Sequence, residues 1–146
     1  MTTQTNIATS RRVLEECFNE GNLDAIDEVC APDLVQHDPS LPVDAQGTEG
    51  LKDQVRMYRE AFSDLHITID DVVAGRDEVV MRWRSTGTND GALMGMPPTG
   101  RHAEVTGITI DRYDAAGRIC ETWAQWDNLG LIQQLELAPQ AMARPG

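Results

Sequence analysis

His66-Ile67-Thr68-Ile69-Asp70 and Val79-Val80-Met81-Arg82-Trp83-Arg84 decide the fold, because here the apolar period is two. Ile67 and Ile69 alternate with polar neighbours, and Val79, Met81 and Trp83 alternate with Val80, Arg82 and Arg84. That alternation predicts half-buried strands, the first running through Val72 to Ala74, the second to about Thr86, with a turn at 75–77. Working outward, 104–113 and 118–126 read as a second strand pair. Asp114-Ala115-Ala116-Gly117 is its turn, with Gly117 where a positive φ is easiest. A final helical turn or two over 129–137 closes the chain.

Upstream the period is that of a helix. Ile7, Leu14, Cys17 and Phe18 share one face, and Gly21 stops the element. Asn22 is the expected cap of a second helix carrying Leu23, Ile26, Val29 and Cys30, which Pro32 ends. A third helix starts near Thr48 and places Leu51, Val55, Tyr58 and Phe62 together. Residues 34–47 read as a loop with one short extended piece. Helices first and antiparallel strands afterwards predict one α+β domain over 1–146, with fraying ends at about 1–5 and 138–146.

With 146 residues, the chain has room for one core and not two. The net charge of −12 argues against nucleic acid and anionic membrane surfaces, which need clustered Lys and Arg. No apolar run approaches the ~18 residues of a membrane span. Met1-Thr2-Thr3-Gln4-Thr5-Asn6 lacks the basic start and apolar stretch of a signal peptide, so a cytoplasmic location is expected. Cys17, Cys30 and Cys120 read as thiols of a reducing compartment. The three histidines have no ligand-pair spacing, and no nucleotide-binding loop or Gly-x-Ser-x-Gly elbow occurs, so neither metal nor cofactor is expected.

Several segments, in order, resemble one family. They are Phe18-Asn19-Glu20-Gly21-Asn22-Leu23-Asp24, His37-Asp38-Pro39, Glu49-Gly50-Leu51-Lys52, Tyr58-Arg59-Glu60-Ala61-Phe62, Gly95-Met96-Pro97-Pro98-Thr99-Gly100-Arg101, and Trp126-Asp127 before Leu129-Gly130-Leu131. The likeness covers roughly residues 7 to 136 and is to the SnoaL-like, or polyketide (ester) cyclase-like, group of the NTF2-like superfamily. The resemblance implies a cone: a curved, mostly antiparallel sheet wrapped over three N-terminal helices around a pocket, commonly as a homodimer or larger assembly. It also implies a cofactor-independent intramolecular aldol cyclisation of an aromatic polyketide ester. The acid/base aspartate of the family is carried onto Asp127, and its pocket histidine onto His37.

Read from the residues themselves, Trp123, Gln125 and Asp127 share strand parity, so all three line the pocket if that face is the inner one. Asp127 could equally cap the last helix through Asn128-Leu129-Gly130. His37 could polarise a carbonyl or pair with Asp38 at the surface. Trp83, Trp123, Met81, Tyr58, Phe62 and Tyr113 form the expected lining for a hydrophobic small molecule, or else plain core. The long connection 87–101 is either a flap over the pocket, with Met96 on its apolar side and His102 at the mouth, or a loop packed on its own domain. An epoxide hydrolase, another hydrolase or isomerase, and a non-catalytic binder remain alternatives. The first needs an Asp-Arg-Asp relay, and Asp111 and Arg112 have opposite parity, so at most one of them faces inward.

Overall fold

The computed structural model describes residues 2–39, 41 and 43–137. Helix α1 (Thr3–Arg12) is continued by a π-helical stretch, Val13–Phe18, and followed by α2 (Asp24–Val29). Then come β1 (Cys30–His37), β2 (Ala45–Gln46) and α3 (Gly47–Ala61). Four strands follow, β3 (His66–Gly75), β4 (Glu78–Thr88), β5 (His102–Tyr113) and β6 (Ile119–Trp126), before α4 (Asn128–Gln134). The strands form one curved sheet in the order β2-β1-β6-β5-β4-β3.

The expected α+β class and the four long strands are found. The N-terminal region differs in three places. Thr3 to Thr5 are helical, because Thr2 caps α1 by accepting from the Thr5 N–H at 3.0 Å. The fraying expected over 138–146 lies outside the described residues. Asn22 does not cap α2; the flanking residue is Leu23, which makes no side-chain capping bond. Most importantly, the segment read as a loop after Pro32 begins with a strand. β1 pairs in parallel with β6, a contact made across more than eighty residues of chain that no local period announces. Pro32 is tolerated because the register shifts between Cys30 and Val35, where no ladder N–H is required of it.

The core lies between the inner face of the sheet and the helices. α3 contributes Leu51 and Val55, the π-helical stretch Val13, Leu14 and Cys17, and β4 Val79, Met81 and Trp83. Gly21 ends the first helical unit with φ +77°, and Gly117 closes the β5–β6 turn with φ +80°, backbone states that favour glycine. In that turn, Asp114 Oδ1 accepts from the N–H groups of Ala116 and Arg118, each at 3.0 Å.

The 87–101 connection is tied down and is not a flap. Asn89 is fully buried. Its amide donates to the carbonyls of Ala61 (3.1 Å) and Gly91 (2.9 Å) and accepts from the N–H and hydroxyl of Thr99. The loop is thereby fixed to the C-terminal end of α3, with Leu93 buried while Met94 and Met96 face outward.

Candidate active site

An apolar cavity fills the space between the π-helical stretch, α3, α4 and the inner face of the sheet. Its volume is about 130 Å³. That is room for a small flat ring system. Trp83, Met81, Tyr58 and Phe62 line it as expected. Trp83 is oriented by its indole N–H, which donates to Thr109 Oγ1 at 2.9 Å. Gly107 makes this packing possible: a Cβ there would stand 2.5 Å from Trp83 Cζ2 and 2.7 Å from Trp126 Cβ.

The other expected lining residues are elsewhere. On β6 it is Thr122, Ala124 and Trp126 that face the cavity, so Trp123 and Gln125 point to the outer face of the sheet. Trp123 and Gln125 do share a face, and it is the outer one. Met96 and His102 are exposed, away from the cavity; His102 Nδ1 lies 3.3 Å from Thr88 Oγ1. Asp127 is exposed and caps α4, accepting from the Gly130 N–H at 2.8 Å. His37 also faces away. It is held between Asp44 and Glu121, each at 2.7 Å, and stacks on Trp123 with ring centroids 5.3 Å apart. The hydrogen bond to Glu121, and then that to Asp44, raises its pKa.

Two carboxyl groups do reach the cavity. The first is Asp38, directly after His37, on which the sequence reading had settled instead. Asp38 Oδ1 accepts from the Trp126 indole N–H at 3.1 Å and Oδ2 from the Gln54 amide at 3.0 Å. Gln54 in turn accepts from Gln36 through its Oε1. Because Asp38 accepts at one end, the two amides are oriented, and Gln36 Oε1 is left buried without a hydrogen-bond partner.

The second carboxyl is Asp111, 3% exposed, on β5. It sits beside Thr122 of β6, which sits beside Gln36 of β1, so the three form one row across the sheet. Thr122 Oγ1 donates to Asp111 Oδ1 at 2.8 Å, while Oδ2 has no hydrogen-bond partner. Burial pushes the Asp111 carboxyl up to about 6, against smaller lowering effects of the Ser10 and Thr122 hydroxyls. The deep end of the cavity is therefore at Asp111, and half-buried Asp38 stands at the more open end.

No arginine lines the cavity among the described residues. Arg112 is on the outer face, bound to Glu121 at 2.9 Å, and Arg84 pairs with Asp70 at 2.8 Å. The Asp-Arg-Asp relay of the epoxide reading is thus not assembled. Among the described residues, no three His, Cys, Asp or Glu side chains cluster in a way that could hold a metal ion, and no helix is long and apolar enough to cross a membrane.

The family model described as SnoaL-like polyketide cyclase matches residues 8–135. Comparison with curated proteins gives no significant match. Among solved structures, IdmH of Streptomyces antibioticus, a candidate polyketide cyclase, is 33% identical, with 90% of this chain and 98% of that one covered and a TM-score of 0.76. A candidate polyketide cyclase of Acidithiobacillus ferrooxidans is 31% identical over 95% and 100% of the two chains, with a TM-score of 0.78. A candidate SnoaL-like cyclase of Jannaschia sp. CCS1 has a TM-score of 0.85 over 94% and 95%, and at 24% identity it speaks to the fold alone. With the family model spanning nearly the whole chain and the cavity in the expected place, this protein belongs to the SnoaL-like polyketide cyclase family.

Proposed function

We propose that the protein is a cofactor-independent cyclase that closes a ring in a flat, carbonyl-rich polyketide-type substrate by an intramolecular aldol reaction, with Asp38 as the base. The observation that carries this reading is the Asp38 carboxylate on the wall of an apolar cavity, held by Trp126 and Gln54. An aldol closure begins when a base takes the acidic proton between two carbonyl groups. A carboxylate fixed by two donors is aimed, and apolar surroundings keep water from competing for it. Trp83, Phe62 and Tyr58 offer the faces on which a flat substrate stacks.

Asp38 takes the role that the resemblance gave to Asp127, whose carboxylate is occupied as a helix cap on the surface. A binding protein without catalysis would use the same cavity. The distinction lies in turnover: an anthraquinone-type methyl-ester precursor is cyclised by the wild type, and Asp38→Asn lowers the rate about a hundredfold or more. Equal rates would remove Asp38 from the mechanism. No turnover by either, with the ligand still bound, would leave a binding protein.

A further inference from the structure

We propose that Asp111 is a second functional carboxyl, which enters the reaction as the neutral acid and donates its proton, at the deep end of the cavity, to the ligand oxygen that becomes the new hydroxyl. This deepens the cyclase reading and rests on it, since it assigns the acid that complements the base at Asp38.

Tyr113 is a donor to the Asn6 carbonyl at 2.8 Å. Its single proton is then used, so the 2.6 Å contact with Ser10 has the serine hydroxyl donating to the tyrosine oxygen. The Thr122 hydroxyl is spent on Asp111 Oδ1. That leaves Oδ2 as a buried oxygen without a hydrogen-bond partner on the wall of the cavity. Such an atom is costly as an anion, whereas as O–H it becomes a donor waiting for an acceptor. A buried carboxyl in an apolar site can be held neutral for this purpose. A ligand that expels water from the cavity raises its proton affinity further.

The groups around Asp111 do not supply a rival titration. Its cross-strand neighbour on β4 is Val79, and Thr109, Thr122 and Ser10 do not ionise. Cys30 of β1, with Cys17 behind it, is pushed up to about 12 by burial, and Tyr113 is raised beyond its ordinary range by the same cause. In the reaction, Asp38 removes the C–H proton, and the electron pair left on carbon forms the new C–C bond. The carbonyl π pair moves to oxygen, and Asp111 protonates that oxygen. Exchange through water returns the proton from Asp38 to Asp111.

Two neutral ring ligands test this, 9-fluorenone and fluorene, which share a frame and differ in one carbonyl. Binding is read by quenching of tryptophan fluorescence between pH 5 and 8. At pH 5 the wild type is expected to prefer fluorenone about tenfold, the worth of one added hydrogen bond, and to lose affinity as the pH rises past 6. Asp111→Asn keeps the preference, because its amide also donates, and loses the pH dependence. Asp111→Val loses both. Equal affinity for the two ligands at pH 5, or a pH dependence that survives Asp111→Asn, overturns the proposal and leaves the Asp38 reading standing. If neither ligand binds, the polycyclic-carbonyl reading falls and this proposal with it. A readout that needs no variant is the infrared carbonyl band of a protonated aspartate in 13C-aspartate-labelled wild type. It is expected at pH 5, moving when fluorenone binds, and its absence at pH 5 overturns the proposal.

Discussion

The two faces of β6 and its neighbours come from alternate positions of the same strands, yet they handle charge in opposite ways. On the outer face, Glu121 lies between His37 and Arg112, and those hydrogen bonds hold its carboxyl below the usual carboxylate range. On the inner face, Asp111 Oδ1 accepts from the Thr122 hydroxyl, Oδ2 has no partner, and burial pushes the carboxyl up to about 6. Asp111 and Arg112 are adjacent in sequence and separated by the thickness of the sheet. Outside, the carboxylate is stabilised by the donors on either side of it. Inside, the protein carries an unsatisfied acid that no folding argument requires. A buried polar group kept without its partners marks where a ligand completes the structure.

The sharpest break of this comparison is Asp38→Asn, with the loss of about a hundredfold in cyclisation described above, against little change for replacements on the outer face. Next is the pH dependence of stability. Asp111 ionises near 4 when unfolded and at about 6 when folded. Between those values the folded state holds the extra proton, so its contribution to stability falls as the pH rises, on the order of 3 kcal/mol in all, and is flat above. Denaturant unfolding at pH 4 and pH 7 of wild type and Asp111→Asn isolates this, because the paired carboxylates contribute equally to both. A difference that does not change with pH would mean that Asp111 ionises normally.

Gly107→Ala tests the cavity wall itself. The added methyl collides with the Trp83 indole and with Trp126 Cβ and is expected to destabilise by about 2 kcal/mol while reducing ligand binding; thermal melting and quenching read the two effects. Asp127→Ala is expected to cost about 1 kcal/mol through the lost cap, with turnover unchanged. A collapse of turnover in a well-folded Asp127→Ala would restore the assignment suggested by the resemblance. The smallest effect belongs to His37→Gln. Because the folded-state pKa of His37 is raised, its stabilising contribution is full below about 6.5 and fades as the pH climbs through the folded value. The variant should flatten that shallow slope and leave the inner face unaffected.

Much of the fold was legible because its signals are local. The period of two over 66–86 and 104–126, the helical spacing of Leu51, Val55, Tyr58 and Phe62, and the glycines at 21 and 117 each act within a few residues of chain. Cavity residues on β4 and α3 followed from those patterns. β1 did not, because its pattern is broken by Pro32 and its partner, β6, is remote. The acids were misplaced for a related reason. Alternation says which residues of β6 share a face, and Trp123 and Trp126 offer a tryptophan to either one. Only the docking of β1 against β6, with His37 stacked on Trp123, decides which face is outside.

By itself, then, the sequence determined the α+β class, the turns that join the paired strands and the family, since these depend on local period and on ordered motifs. Tertiary structure alone decided which carboxyls meet the cavity. Asp38 and Asp111 are 73 residues apart in the numbering and come together only through β6, which lies between β5 and β1, the strand that Asp38 follows. The altered proton affinity of Asp111 is likewise a property of the space around it, because desolvation is set by what packs nearby and not by neighbours along the chain.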